Sequence, residues 1–401
     1  MTRKGQRRAE LERRRLLQAM GVGLGALALG GLGACKRGAD AAGAAEGAGG
    51  AQAAGGAAAG GKPFAGQTLR VFVYAGAWEK GFREAFVPRF EQATGAKVVV
   101  DPGWWDSIPK LKASPKGQPA FDLVLTDATQ GYPAIREGLF AQLDMARLPQ
   151  VRNVAASALD SWVVRERYGV TFPESVMTLG YHRELVPFEP TGWGDLMREE
   201  VRGKLGLYNS FYMSLFTFAA MKAAADGKPG TAAQLMAADL PGVMAFAREQ
   251  RGRVKYWWPT STDMALNLGQ RNCALGNMHS SDMLVALRSR KELAAVVPAA
   301  DRAFVQLMWV VPSDTPRKDL AHAAIDTLFS EPVQEGFARG GNGTALPAVA
   351  RRVAAADPAW AAVYPSSEEE LARVAYYPYD AYAKDWDAIT AQWDAQVLRK
   401  A

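Results

Sequence analysis

Thiols and imidazoles are scarce. The 401 residues hold two cysteines, Cys35 and Cys273, and three histidines, His182, His279 and His322. With Cys35 assigned to an export site, Cys273 has no intrachain partner, so disulfides do not staple this fold. No CxxC, HExxH or GxSxG motif occurs. The glycine-rich GGNGT at 340–344 lacks the Lys-Ser/Thr of a phosphate loop, which leaves it a turn. These absences imply no metal site, no cofactor and no catalytic triad. An exported hydrolase using scattered carboxylates is the enzymatic reading that remains.

Long apolar runs are missing too. The greasiest stretch lies in "RRRLLQAMGVGLGALALGGLGAC" (13–35). Its apolar run, Ala19 to Ala34, spans about 16 residues, short of the ~20 that a membrane-spanning helix needs. Excess positive charge is also missing once this end is set aside. The net charge is +6, and residues 1–35 carry seven basic against two acidic side chains, a net of +5, so the remainder holds only +1. A nucleic-acid footprint is thereby excluded.

What stands at the start is an address: a charged front, a short apolar middle and small residues before a cysteine. Residues 36–63 follow as an Ala/Gly-rich flexible tether. Each interspersed glycine costs about 1 kcal/mol against helix, and nothing there is bulky enough to pack. "LGAC" (32–35) resembles the lipobox of bacterial lipoproteins, which implies cleavage before Cys35 and its acylation; several acyl chains hold where one does not. An ordinary cleaved signal with an incidental cysteine is the alternative. "RRRLLQ" is similar to the twin-arginine export motif, with Glu12 where Ser or Thr is usual, and it reads equally as a plain basic leader.

Beyond the tether the patterns alternate between strand and helix. Thr68–Tyr74 alternates as a strand; 79–94 has helical spacing that Pro88 must bend or divide. Strands are expected at 96–100 and 121–126, the latter a nearly continuous apolar run covered on both faces. Short helices fall at 108–113 and 133–137, and 138–144 reads as an edge strand. This order predicts right-handed crossovers and a mainly parallel sheet. A second set places strands at 168–173, 176–182, 204–209, 273–279 and 304–312. Its helices fall at 212–225, near 232–250, and at 262–269, 282–289, 318–329 and 332–339, before a mostly helical tail from Val349.

Four stretches in this order carry a resemblance: "FEQATGAKVVV" (90–100), "FDLVLTDATQGYPAIREGLFAQLD" (121–144), "PTGWGDLMREEVRGKLGL" (190–207) and "GNGTALP" (341–347). They resemble, in sequence and spacing, the landmarks of bacterial solute-binding proteins that feed ABC importers, nearest the spermidine/putrescine branch. The resemblance implies an α/β fold of the two-lobed periplasmic-binding-protein type (type II). Each lobe would be a mainly parallel sheet flanked by helices, with two crossover strands as hinge. Lobe 1 would comprise 64–168 and 304–350, lobe 2 would comprise 169–303, and C-terminal helices at 351–401 would pack on the lobes. The implied protein is a monomer and not an enzyme. It captures a small polar solute, with a cationic, polyamine-like one the favoured class, and delivers it to an ABC permease in the cytoplasmic membrane. It would work in the periplasm or at the cell surface, touching the membrane only through lipidated Cys35. A surface receptor serving a sensor kinase fits the same sequence.

Carried over position by position, the resemblance is incomplete. Where polyamine binders place aromatic–Asn–Trp after the first strand, Tyr74, Ala75 and Gly76 stand here, with Trp78 two further on. Their Ser-Thr-Tyr after the third strand becomes Thr126, Asp127 and Ala128, followed by Thr129. Their crossover aromatic falls at Glu174, before Ser175. One of their acids falls opposite Met213, beside Tyr212. Their Trp-x-Asp becomes Val305, Gln306 and Leu307, and 303–312 contains no Asp or Glu. Both family acids are thus missing from their places. Asp127, Glu174, Asp263 and Asp282, with Ser281 beside it, fall at loop positions that the fold would aim at the cleft. With Tyr74, Trp78, Tyr212 and Trp258 they would form an aromatic, anionic box for a cation. Glu174 is the strongest of these, because a charge between two strand-like runs needs a partner. The competing reading makes Asp127 and Asp282 helix caps, Trp257 and Trp258 core, and His279 a satisfied hydrogen-bonder. A ferric-ion carrier is the nearest rival function, since Tyr376-Tyr377 forms the tyrosine pair such relatives use. That pair lies in the tail, where aromatic packing is the expected job.

Overall fold

The structure, a computed structural model, describes residues 62–399; the expected leader, Cys35 and the expected tether up to residue 61 lie outside them. Among the described residues there are ten strands: β1 (Thr68–Tyr74), β2 (Lys97–Gly103), β3 (Leu123–Asp127), β4 (Gly169–His182), β5 (Leu205–Tyr208), β6 (Val254–Trp258), β7 (Leu275–His279), β8 (Leu293–Val296), β9 (Arg302–Val310) and β10 (Val374–Tyr376). They form two sheets. One runs β2-β1-β3-β9-β4, with β10 beside β9; the other runs β4-β7-β5-β6, with β8 beside β4. Strand β4 belongs to both: Gly169–Val176 pairs with β9, and Met177–His182 pairs with β7 and β8. It leaves the first sheet and enters the second without a break.

Pairing is parallel among β1, β2 and β3 and among β5, β6 and β7, as helical crossovers require. It is antiparallel where β4 and β9 carry the chain out and back. Two strands were expected across 168–182, and one is found. Its register against β9 shifts between Pro173 and Ser175, since Pro173 has no N–H for the ladder while the backbone stays extended. The helix expected at 79–94 is continuous through Ala77–Gly81, a π turn at Phe82–Phe86 and Val87–Thr94. The wider turn, closed by Val87 N–H on the Phe82 carbonyl, accommodates Pro88 without breaking the helix. Gly95, at φ 76°, ends it in the left-handed region.

The edge strand expected at 138–144 is not formed. Only Phe140 bridges, to Pro312; its side chain and that of Leu143 are buried from a loop. Strands β6, β8 and β10 had no counterpart in the sequence reading.

Side-chain packing follows the layers. Phe82, Phe86 and Phe90 form a ring ladder that continues to Trp309 on β9. Helix Phe211–Ala225 is apolar all round and buried on most sides, consistent with cover on both faces. The tail first packs near the first sheet, where Trp360 Nε1 donates to the Asn342 carbonyl (3.1 Å). After β10 it crosses to the second sheet. Tyr382 Oη donates to the Tyr212 carbonyl (3.0 Å) and Trp393 Nε1 to the Asn209 carbonyl (2.8 Å). Among the described residues no helix is long and apolar enough to cross a membrane.

Candidate ligand-binding cleft

Parallel strands present their carboxyl ends, and the first residues of the following loops and helices, to one side. In the first sheet these are Tyr74 at the end of β1, Trp104 and Trp105 after β2, and Asp127 at the end of β3. In the second they are Tyr212, in the first turn after β5, and His279, Ser281 and Asp282 where β7 passes into helix Ser280–Ser289. All of them line one cavity of about 310 Å³, together with Trp78, Thr129, Ser175, Leu307 and Tyr379. Gly76, at φ 89°, turns the chain at this wall into helix Ala77–Gly81.

Asp127 is buried. Its Oδ1 accepts from Gln130 N–H (3.2 Å) as the cap of helix Ala128–Arg136, and its Oδ2 accepts from Tyr74 Oη (2.7 Å). The Asp127 N–H in turn donates to Tyr74 Oη (3.0 Å). Burial raises the Asp127 pKa above the ordinary carboxylate value, and the hydrogen bonds from Tyr74 and Gln130 offset this only in part. Burial and the neighbouring Asp127 hold the Tyr74 hydroxyl well above its usual value, so it stays a donor. Trp104 stacks on Tyr74, with ring centres 5.3 Å apart at 12°. Trp104 and Trp105 are 64% and 47% exposed, an unusual state for tryptophan, and both lie at the cavity. Trp105 meets Trp386 of the tail edge-on.

On the hinge side Ser175 Oγ lies 3.3 Å from His279 Nδ1 and 3.2 Å from Ser280 Oγ, and Ser280 Oγ accepts from Val176 N–H. Burial lowers the His279 pKa below its ordinary value, with Asp282 working against that; the imidazole is neutral at neutral pH. Among the described residues lining the cavity none is Lys or Arg.

Of the residues singled out by sequence, the structure brings together Tyr74, Trp78, Asp127, Ser175, Tyr212, Ser281 and Asp282. Thr126 is fully buried in β3, behind the wall. Trp258 is buried beneath it, in the core as the competing reading had it. Its ring is 4.5 Å from that of Tyr208, and its Nε1 donates to Asn277 Oδ1. Asp263 sits in the first turn of helix Ser261–Gly269, where its Oδ2 accepts from Thr260 Oγ1 (2.6 Å); it does not line the cavity. The Glu174 side chain lies outside the described groups; its backbone stands at the β4–β9 register shift. Trp104, Trp105 and Tyr379 were missed. Adjacent tryptophans in the turn "PGWWD" (102–106) were a usable signal for the first two; Tyr379 had none.

Among the described residues no cluster of three or more His, Cys, Asp or Glu is placed to hold a metal. Tyr377 packs against Tyr212 and Phe216. Cys273 is buried, and its thiol is pushed up to about 12, which makes it inert.

Comparison with known proteins agrees with this geometry. Residues 85–365 match the family described as bacterial extracellular solute-binding protein. The gamma-aminobutyric acid-binding protein of Pseudomonas aeruginosa is 24% identical over 293 residues, covering 70% of this chain and 80% of that protein. The putrescine/cadaverine-binding protein of the same organism is 24% identical over 143 residues, 33% of this chain and 40% of that one. The spermidine/putrescine ABC transporter substrate-binding protein of Streptococcus pneumoniae superposes with a TM-score of 0.66 at 16% identity, covering 83% of this chain and 98% of that one. With the family matched over most of the described residues and the same two-sheet fold, this chain belongs to the bacterial extracellular solute-binding proteins.

Proposed function

We propose that this protein captures a small organic diamine or polyamine between its two lobes and hands it to an ABC permease, while an acylated Cys35 holds it at the membrane. The observation that carries this reading is the pair Asp127 and Asp282, one from each lobe, on one aromatic cavity without Lys or Arg among its described lining residues. An alkylammonium group is stabilised both by carboxylates and by ring faces. A γ-amino acid would bring a carboxylate to the same walls, with no cation to receive it. The relatives include one named for putrescine and cadaverine and one named for gamma-aminobutyric acid, and the lining charge supports the amine reading.

Calorimetry with putrescine, cadaverine, spermidine and gamma-aminobutyric acid tests this directly. The amines bind, and gamma-aminobutyric acid binds more weakly. Asp127→Asn and Asp282→Asn each weaken putrescine by roughly 10- to 100-fold, the equivalent of one charge-assisted hydrogen bond. Tighter binding of gamma-aminobutyric acid, or unchanged affinity in both variants, overturns the reading. Glu174, at the hinge, is proposed as a third carboxylate. At 100 times its dissociation constant a ligand adds about 2.7 kcal/mol to stability. Glu174→Gln is expected to abolish the resulting thermal shift, and an unchanged shift removes Glu174 from the site.

A further inference from the structure

A second cavity, of about 330 Å³, lies across the hinge strand from the first. Gln306 and Leu307 are consecutive on β9 and so point to opposite faces; Gln306 lines this cavity and Leu307 lines the cleft. The space is far larger than the ~15 Å³ that one water requires. Its walls are Tyr132 and Trp162 from the first lobe and Tyr376, Tyr377 and Tyr379 from the tail, with Tyr379 standing between this cavity and the cleft. Neighbouring rings meet nearly at right angles: Tyr132 and Trp162 at 68°, Tyr132 and Tyr379 at 75°, Tyr377 and Tyr379 at 76°. Rings set this way form corners, and aromatic rings are the groups that attract a weakly hydrated ammonium.

The polar part is equally specific. Gln306 is buried, and its Oε1 accepts from Tyr132 Oη (3.0 Å). Its Nε2, a donor of two hydrogens, has no partner among the described residues, and the buried Tyr377 hydroxyl has none either. An orphaned buried donor costs roughly 1–3 kcal/mol, so an acceptor is called for. No described lining residue is charged, and the Arg136 guanidinium stands 5.9 Å from the Trp162 ring centre. A bare cation would meet no counter-charge there. A compact zwitterion, with a methylated ammonium beside the rings and a carboxylate directed toward Gln306 Nε2, matches an uncharged lining that holds an unpartnered donor.

We infer that this cavity is a second binding site, distinct from the cleft, for a small methylated ammonium carboxylate of the betaine type. Its occupant would wedge between the first lobe, the tail and the hinge strand. The inference does not depend on the identity of the cleft's guest.

The test titrates the full-length protein with glycine betaine and with 3,3-dimethylbutanoate, which carries carbon in place of the quaternary nitrogen. Betaine should bind at one site per chain, equally well with the cleft saturated by putrescine and in Asp127→Asn. Trp162→Leu should weaken it about tenfold or more while leaving putrescine affinity unchanged, and the carbon analogue should bind at least about tenfold more weakly. Tyr376→Leu serves as the second variant if Trp162→Leu fails to fold by circular dichroism. Absence of betaine binding, its loss in Asp127→Asn, its persistence in the ring variants, or equal binding of the carbon analogue would each overturn the inference.

Discussion

The Asp127 carboxylate accepts hydrogen bonds from Tyr74 and Gln130, yet no basic side chain pairs with it among the described residues, and burial raises its pKa. Between the ordinary carboxylate value and the raised one, the folded chain keeps a proton that the unfolded chain has lost. Stability therefore falls as pH rises through that window and stays lower above it. Asp127→Asn removes the penalty. The empty variant should melt at or above the wild type at neutral pH, and the difference should vanish below the ordinary carboxylate range. An ammonium beside Asp127 favours the ionised form, so binding expels a proton wherever Asp127 is protonated, and affinity falls as pH drops. Protonation of His279 at lower pH adds repulsion in the same direction. Calorimetry in buffers of differing ionisation heat, at acidic and neutral pH, measures the proton released; proton uptake on binding would contradict the assignment.

At the scale of elements, the second lobe is ordered beneath the cleft by Asn277 on β7, which is fully buried. Its Oδ1 accepts from Tyr208 N–H (2.9 Å) and Trp258 Nε1 (3.2 Å), and its Nδ2 donates to Ser214 Oγ and Thr217 Oγ1. Asn277→Leu leaves those partners without it and should cost about 3 kcal/mol or more, at ~1 kcal/mol or more per stranded group. The urea midpoint should drop with an unchanged slope; a midpoint equal to the wild type would deny the network its role. This network also shows where the sequence stopped being legible. Residues at the ends of strongly patterned strands, Tyr74 and Asp127, were readable because a buried apolar run fixes where the strand stops and the loop begins. Trp258 was assigned to the cleft because β6, a five-residue strand with Lys255 inside it and Pro259 directly after it, was not recognised, and without it the ring's direction was open. Tyr379 reaches the cleft from more than 200 residues after Asp127, a placement that only the tail's crossing beside β9 creates.

At the scale of the whole fold, three segments among the described residues link the sheets: β4, the β8–β9 return and the tail. The register shift at Pro173 and Ser175 interrupts the ladder between β4 and β9 just before β4 enters the second sheet at Met177. A guest that touches Asp127 on one side and Asp282 on the other favours whichever arrangement lets it touch both, and it shifts the lobes by that difference in affinity alone. Small-angle scattering on the wild type and on the Asp127→Asn/Asp282→Asn double variant, each with and without saturating putrescine, measures this most directly. The radius of gyration should shrink on addition of putrescine in the wild type and stay constant in the double variant. Superimposable wild-type curves with the diamine bound, or equal compaction in the double variant, would contradict a clasp built on those two carboxylates.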